Sequence, residues 1–257
     1  MDLSYTGKCK IALKLQRKQS AVWRQLQKLV RGDVSVGRPK LLDRSHVVNV
    51  ALCQYWQKGI DSVAMADVAR LSGYDRAGIY KEFGGESGLV DEVLAAYDEE
   101  YVAPRWPVLD ACESPAMKMK MILEAFVYDN VLKDLSRFGV KDTSLKWPRP
   151  PVKARGCCYY GMVIAESSAS FTSKTKRKIK AVDRANRDWI AEVMNDAEKS
   201  GQLREDLSAA EAATFYADQM LLMQTMRRLN LSKERMLSTA NMIMKSLFKE
   251  SVISIKH

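Results

Sequence analysis

The chain has 257 residues, of which 41 are lysine or arginine and 31 are aspartate or glutamate, so its net charge is +10. Hydrophobic residues make up 47% of the chain, enough for a sizeable core at this length. No run of about eighteen consecutive apolar residues occurs, so the sequence predicts no stable membrane insertion.

The excess of basic charge lies at the beginning of the chain. Residues 1–40 hold ten basic and two acidic residues, whereas residues 41–90 hold five and six. A basic surface at one end of a molecule attracts polyanions, and phosphates above all. The charge distribution therefore favours a nucleic-acid partner that is contacted from the N-terminal side.

Residues 1–33 have apolar positions at approximately helical spacing, interleaved with lysine and arginine. A basic amphipathic helix of this kind can lie along DNA, sit on an anionic membrane or dock on a partner. The alternative is a mobile basic extension, or sequence upstream of the functional start. Charges interrupt the apolar stretch and no small-residue cleavage site follows, so no secretory signal is predicted. The apolar positions are Ile11, Leu15, Val22, Leu26 and Leu29.

The segment Gly37-Arg38-Pro39-Lys40 predicts a short basic arm, similar to the minor-groove tails of DNA-binding proteins. A helix of about fifteen residues follows, with Asp43 as the expected N-cap and Gly59 as the stop. Its apolar face consists of Val47, Val48, Ala51, Leu52 and Tyr55.

Residues 64–83 predict two short helices around a glycine turn. Val68 and Leu71 lie three residues apart, so we expect them on one buried face with Ala69 beside them. Gly73 can take the positive φ that ends a helix tightly. This layout is typical of a helix-turn-helix, in which one helix braces and the other enters the DNA major groove.

The second helix of this segment is too polar and small-sided to serve packing alone. Asp75 is its expected N-cap, and Ile79 and Phe83 are spaced to point into a core. Small residues let a helix approach the groove floor, while longer side chains reach bases and phosphates. A helical hairpin with a solvated outer face is the alternative. The outward residues are Arg76, Ala77, Gly78, Tyr80 and Lys81.

This N-terminal region resembles the TetR/AcrR family of one-component transcriptional regulators. The resemblance implies an all-α protein with a basic extension over 1–36, a three-helix DNA-binding domain over 37–88 and an effector-binding and dimerisation domain over 89–257. It implies DNA contacts at Arg76, Ala77, Gly78, Tyr80 and Lys81, to which the basic arm adds Arg38 and Lys40. The matching residues are Gly37-Arg38-Pro39, Gly59, Val68-Ala69, Gly73, Ile79-Tyr80, Phe83-Gly84 and Leu89.

Two positions depart from the family pattern. The bracing helix begins after Ala64, where family members usually have a threonine that touches a phosphate. The following helix begins at Glu86, where they tend to have a lysine. A carboxylate suits a helix N-terminus but repels phosphate, so we expect neither residue to contact DNA.

The second half of the chain predicts helices throughout. Expected helices run from Ser114 toward Phe138, from about 156 to 170, and from Lys174 to Lys199, with a proline-rich loop over 139–151. Ser208 and Glu211 form a capping box that opens the next helix, and Ser232 caps the last one.

The last helix has two apolar stripes, so it needs two partners. One stripe is expected to pack in its own domain and the other to meet a second subunit, which gives a homodimer through the last two helices, as the resemblance implies. The alternative is that a monomer buries both stripes. The stripes are Met236, Ala240, Ile243 and Leu247, and Leu237, Met244 and Phe248.

The middle of the C-terminal domain, residues 89–257, is the expected effector region. Aromatic and methionine side chains there suit a small, mostly apolar molecule, although each of them also fits a plain core. No individual ligand contact is predicted. The residues are Trp106, Met117, Met121, Phe126, Tyr128, Tyr159, Tyr160, Met162 and Trp189.

No catalytic or metal-binding pattern occurs, so the sequence predicts neither an enzyme nor a cofactor or metal site. The five cysteines are scattered, which favours reduced thiols in a cytoplasmic protein, with a thiol sensor as the alternative. Two functions fit the sequence. The first is a repressor that binds an operator, expected to be an inverted repeat, and is released from it by a small molecule. The second is a DNA-binding adaptor that a protein or membrane partner controls through residues 1–33.

Overall fold

The structure is a computed structural model that describes residues 42–128, 132–149, 161 and 171–253. The described residues form helices joined by turns, and their one β feature is an isolated antiparallel bridge between Leu203 and Phe248. The predicted all-α class is therefore confirmed. The extension over 1–36, the arm with Arg38 and Lys40, and nearly all of the helix predicted over 156–170 lie outside the described residues.

Helix α1 spans Arg44–Lys58 and has the predicted ends. The Asp43 side chain accepts a hydrogen bond from the His46 backbone N–H at 3.1 Å, which lowers the pKa of Asp43. Gly59 closes the helix with a positive φ of 87°. All five predicted apolar positions of α1 are buried, together with Trp56.

Helices α2 (Met65–Ser72) and α3 (Arg76–Phe83) form the predicted helix-turn-helix. Gly73 ends α2 in the left-handed conformation, with φ 76°. The expectation for Leu71 is wrong, because its side chain is 39% exposed. Helix α2 instead buries positions i, i+3, i+4 and i+7, and Leu71 falls beside that face. The buried positions are Met65, Val68, Ala69 and Ser72.

Helix α4 spans Glu86–Tyr97 and packs closely against the end of α3. A Cβ atom at Gly88 would lie 1.7 Å from the backbone carbonyl oxygen of Phe83, so only glycine fits at this crossing. The chain then continues through a π-helical segment, Asp98–Val102, and a 3-10 turn, Ala103–Arg105, into the short helix α5, Trp106–Asp110.

The next helix is shorter than predicted. Helix α6 spans Pro115–Val127 and begins as expected, with the Ser114 side chain accepting from the Met117 backbone N–H. It ends at Val127 rather than continuing toward Phe138. Residues 136–138 form only a 3-10 turn, closed by the left-handed Gly139.

Three further helices and one final turn complete the described chain: α7 (Ser173–Lys199), α8 (Ala209–Arg228), α9 (Lys233–Leu247) and α10 (Glu250–Ile253). The predicted capping box is confirmed, since Ser208 and Glu211 each accept from the backbone N–H of the other. Ser232 caps α9 as predicted, by accepting from the Arg235 N–H.

Helix α6 lies at the centre of the C-terminal core. The buried Tyr216 hydroxyl donates to the Met119 carbonyl oxygen at 2.8 Å, and burial raises the pKa of this phenol well above its usual range. The expectation that one of the two stripes of α9 is available to another subunit is wrong, because the first stripe is buried and Met244 and Phe248 of the second stripe are buried as well. Pairing of Phe248 with Leu203 helps to cover this stripe.

Candidate nucleic-acid interface

Helix α3 presents a polar face to solvent. Its buried residues are Ile79 and Phe83, which anchor the opposite side. Arg76, Ala77 and Lys81 are exposed, while Gly78 and Tyr80 are partly buried. The structure thus brings five of the predicted site residues together on one short helix, and their contact with DNA stays a prediction.

The start of α3 is fixed by its N-cap. An Asp75 carboxylate oxygen accepts from the Gly78 backbone N–H at 2.7 Å. This bond satisfies one of the amide groups that the first turn of a helix leaves without a partner. It sets where α3 begins, and so which side chains occupy its outer face.

Arg76 and Tyr80 act as a pair on the outer face. Arg76 Nη2 donates to the Tyr80 hydroxyl at 3.2 Å, and the guanidinium carbon lies 5.2 Å from the centre of the Tyr80 ring. The hydrogen bond to Tyr80 raises the pKa of Arg76. A guanidinium has five N–H donors, so donors remain for a phosphate or a base while the tyrosine orients the group.

Arg44 joins three helices and was missed by the sequence analysis. Its Nη1 atom lies 2.7 Å from Glu82 Oε1 and also donates to the Glu82 carbonyl oxygen, while Nη2 lies 3.2 Å from Glu92 Oε2. Its guanidinium also covers the Phe83 ring at 4.8 Å. Exposed ion pairs stabilise a fold only slightly. Their consequence here is that two carboxylates neutralise Arg44, which disfavours it as a phosphate contact.

The turn between α2 and α3 is tied to the beginning of α1. The Asp43 backbone N–H donates to the Tyr74 hydroxyl at 3.0 Å. His46 Nε2 lies 3.2 Å from the Ser72 carbonyl oxygen, which can only accept, so this nitrogen carries the proton. These contacts fix the turn before α3 next to Asp43, which Lys40 precedes by three residues in the sequence.

The two departures from the family pattern lie where the sequence analysis placed them. Ala64 is the N-cap residue of α2 and provides no side-chain hydrogen bond. Glu86 is the first residue of α4 and is exposed. The negative charge of Glu86 suits that helix terminus.

The sequence of this region is similar to that of known proteins. Residues 47–93 match the family model described as bacterial regulatory proteins, tetR family. Residues 47–93 are therefore similar to the N-terminal domain of the TetR family. The chain is also similar to the HTH-type transcriptional repressor ComR of Escherichia coli K12, with 33% identity over 69 residues. The match covers 27% of this chain and 33% of ComR, so the chain matches about a third of this curated relative's length.

Solved structures of TetR-family regulators share the fold over most of the chain. A cysteine-substituted CifR in complex with 26-base-pair operator DNA aligns with a TM-score of 0.61 at 20% identity, covering 82% of this chain and 100% of CifR. A TetR-family regulator from Agrobacterium tumefaciens also gives 0.61, at 15% identity, over 80% of this chain and 97% of that protein. The likeness of fold thus extends beyond residues 47–93.

A cavity lies among helices α5, α6, α7 and α8. Three residues of the predicted effector region line it: Trp106, Phe126 and Trp189. Met117 and Met121 are buried in the core, and Tyr128 is partly buried, but none of the three lines the cavity. Tyr159, Tyr160 and Met162 lie outside the described residues.

The described parts of the chain contain no helix that is long and apolar enough to cross a membrane, and no group of three or more potential metal ligands. Cys112 is buried and its thiol donates to the Phe138 carbonyl oxygen at 2.9 Å. Burial raises the pKa of Cys112, which keeps this thiol protonated and disfavours it as a redox sensor.

Loss of the Asp75 cap has a measurable cost. We expect Asp75→Ala to lower the free energy of unfolding by about 1 kcal/mol, because the Gly78 N–H loses its acceptor. Urea denaturation followed by circular dichroism measures this change. Asp75→Asn is the matched control, since it keeps a side-chain oxygen at the cap. Equal stability of the alanine variant and the wild type would contradict the role of Asp75 in starting α3.

Proposed function

We propose that this protein is a sequence-specific transcriptional regulator that places α3 in the major groove of double-stranded DNA. The observation that carries the proposal is the division of α3 into a buried apolar side and an exposed polar side of small, basic and phenolic residues. A helix of this kind can approach base edges closely. The similarity to CifR, a protein solved on operator DNA, supports the same conclusion.

The proposed DNA contacts divide into two groups. Arg76, Ala77, Gly78, Tyr80 and Lys81 on α3 meet the groove, and Arg38 and Lys40 in the arm contact phosphates or the minor groove. Net charge over 41–90 is slightly negative, so the helix-turn-helix itself provides little general attraction for DNA. Much of the phosphate attraction therefore comes from the arm and the segment before it, where basic residues are concentrated.

The proposed regulator is a homodimer through α8 and α9. Large apolar side chains are exposed along one stripe of α8 and its end, with Phe215 at 39%, Leu222 at 43% and Leu229 at 68% exposure. They lie seven residues apart, which is two helical turns, so they share a face. Met242 on the adjacent α9 is 61% exposed. An exposed apolar patch of this kind is typical of a protein interface, and a second copy also provides a second α3 for the other half-site.

We further propose a repressor that a small molecule releases from its operator by binding in the cavity lined by Trp106, Phe126 and Trp189. A ligand changes DNA affinity only if it favours one arrangement of the two DNA-binding domains over another. The similar Escherichia coli protein ComR is a transcriptional repressor, which supports the proposed sign of regulation.

Selection of bound DNA from a fragmented genomic pool tests the proposal as a whole. We expect the purified full chain to enrich an inverted repeat whose half-sites lie about one DNA turn, or a multiple of it, apart. Sequencing of the retained fragments measures this, and a parallel selection with α3 altered provides the background. Retention of DNA without sequence preference would contradict a sequence-specific regulator.

A further inference from the structure

We propose that the cavity among α5, α6, α7 and α8 binds a ring-containing organic carboxylate, whose charged group pairs with Arg105 and with the indole N–H of Trp147. This inference rests on the proposed function, because it names the chemical class of the effector.

The cavity has about 90 Å³ of space, several times what a single water molecule needs. Its walls are mostly apolar and aromatic. Trp106 and Trp189 meet edge to face there, with ring centres 5.5 Å apart and planes at 68°. Aromatic walls favour a ring as the body of the ligand, since rings pack on one another by offset or edge contacts. The principal apolar lining residues are Trp106, Leu109, Ile122, Phe126, Trp189 and Ile190.

Two hydrogen-bond donors at this cavity have no acceptor. Trp147 lines the cavity and is only 5% exposed, and its Nε1 atom is buried without a hydrogen-bond partner among the described residues. Arg105 also lines the cavity, and its buried Nε atom likewise has no partner. A buried donor without an acceptor destabilises a fold, so native structures rarely contain one and two at a single cavity are informative.

The two side chains that provide these donors, Arg105 and Trp147, lie against each other. The Arg105 guanidinium carbon is 5.6 Å from the centre of the Trp147 ring, so the cation is stacked over the indole. In the described part of the chain Arg105 makes no ion pair. Its charge therefore has no counter-ion among the described residues of the cavity wall.

The charge of the lining residues decides between ligand classes. None of the described residues that line the cavity is Asp or Glu, so a cationic ligand would meet Arg105 there without compensation. A neutral ligand could accept the two hydrogen bonds but would leave the arginine charge unpaired in an apolar site. A carboxylate satisfies both donors and the charge, and its two oxygens match the geometry of a guanidinium.

Isothermal titration calorimetry on the purified full chain tests this inference with matched probe pairs. The probes are benzoate and benzamide, and phenylacetate and phenylacetamide, single-ring molecules that differ within each pair mainly in charge. We expect each carboxylate to bind at least about tenfold more tightly than its amide, because a hydrogen bond to a charged group is the stronger kind.

Substitutions then assign the charged group to its partners. We expect Arg105→Gln to weaken carboxylate binding by about tenfold or more and to leave the amides almost unchanged. Trp147→Phe keeps an aromatic side chain and removes the indole N–H donor, so we expect the affinity for the carboxylates to fall by about threefold to tenfold. Arg177→Gln, on the exposed face of α7, is the control for loss of one positive charge. The melting temperature of Arg105→Gln without ligand should equal or exceed that of the wild type, which separates lost binding from lost folding.

Three results would overturn the inference: amides that bind as tightly as the carboxylates, carboxylate binding that Arg105→Gln does not weaken, or no carboxylate binding up to about 1 mM, the range of very weak complexes. DNA selection on the same preparation keeps the two proposals apart. If an operator is enriched but no carboxylate binds, only the proposal of a carboxylate effector is contradicted. If carboxylates bind in an Arg105-dependent manner but no operator is enriched, only the proposed DNA-binding function is contradicted.

Discussion

The double variant Tyr80→Ala/Lys81→Ala is expected to lose operator binding almost completely while it still folds. Both side chains are on the outer side of α3, and the buried anchors Ile79 and Phe83 are untouched. Tyr80 also orients Arg76 through a hydrogen bond and a cation–π contact. Its removal therefore leaves Arg76, a third proposed DNA contact, without the side chain that orients it. A base or phosphate contact contributes about 1 kcal/mol or more, and a dimer loses each of them twice, so affinity should fall by about a thousandfold.

Fluorescence anisotropy with a labelled operator duplex measures this loss over a range of salt concentrations. Lys199→Ala, at the exposed end of α7, is the control for removal of a lysine away from α3. Lys81→Ala alone should reduce the dependence of log affinity on log salt by about one unit per protomer if Lys81 contacts a phosphate. Unchanged operator binding by the double variant would show that α3 is not the recognition helix.

The N-terminal helices could be predicted from sequence because their ends depend on local chemistry. Asp43 and Asp75 accept from amides only three residues ahead, and Gly73 ends α2 with a positive φ. All the residues that form each of these signals lie within a few positions of one another in the sequence. The same holds for the capping box at Ser208, so these helix starts were predicted to the residue.

Periodicity alone did not decide which of two adjacent faces is buried. Leu71 is as apolar as Val68, but α2 packs through the face that contains Met65 and Ser72, which leaves Leu71 partly exposed. The same limit explains α9. One of its two stripes was expected to meet a second subunit, whereas Phe248 of the second stripe pairs with Leu203, 45 positions earlier in the chain, and is buried, as the first stripe is.

Contacts between distant positions carry what the sequence analysis missed. Arg44 pairs with Glu82 and Glu92, and nothing in the local pattern around Arg44 indicates either partner. Arg105 and Trp147 likewise come from a 3-10 turn and a distant loop and meet only in the folded chain. Trp147 was assigned to a proline-rich loop, and only its burial without a hydrogen-bond partner makes it a candidate for ligand binding.

The double variant Phe215→Glu/Leu222→Glu is expected to convert a dimer into a monomer. Both side chains are exposed in the single chain, so their replacement leaves the core of the subunit intact. In the proposed interface four carboxylates, two from each subunit, would be buried close to the twofold axis without partners, which is strongly unfavourable. Sedimentation equilibrium should then give the mass of one chain, 29.1 kDa, for the variant and about twice that mass for the wild type.

Operator affinity should fall together with the dimer, although α3 is unaltered. Two linked α3 helices bind two half-sites with a high effective concentration, and separate subunits lose this gain, which is commonly a factor of about 10² to 10⁴. Ala181→Glu/Ala185→Glu adds the same two charges to the exposed side of α7 and should preserve both mass and affinity. A variant that remains dimeric would move the interface away from the α8 stripe, whereas a monomeric variant with full operator affinity would show that one α3 suffices for recognition.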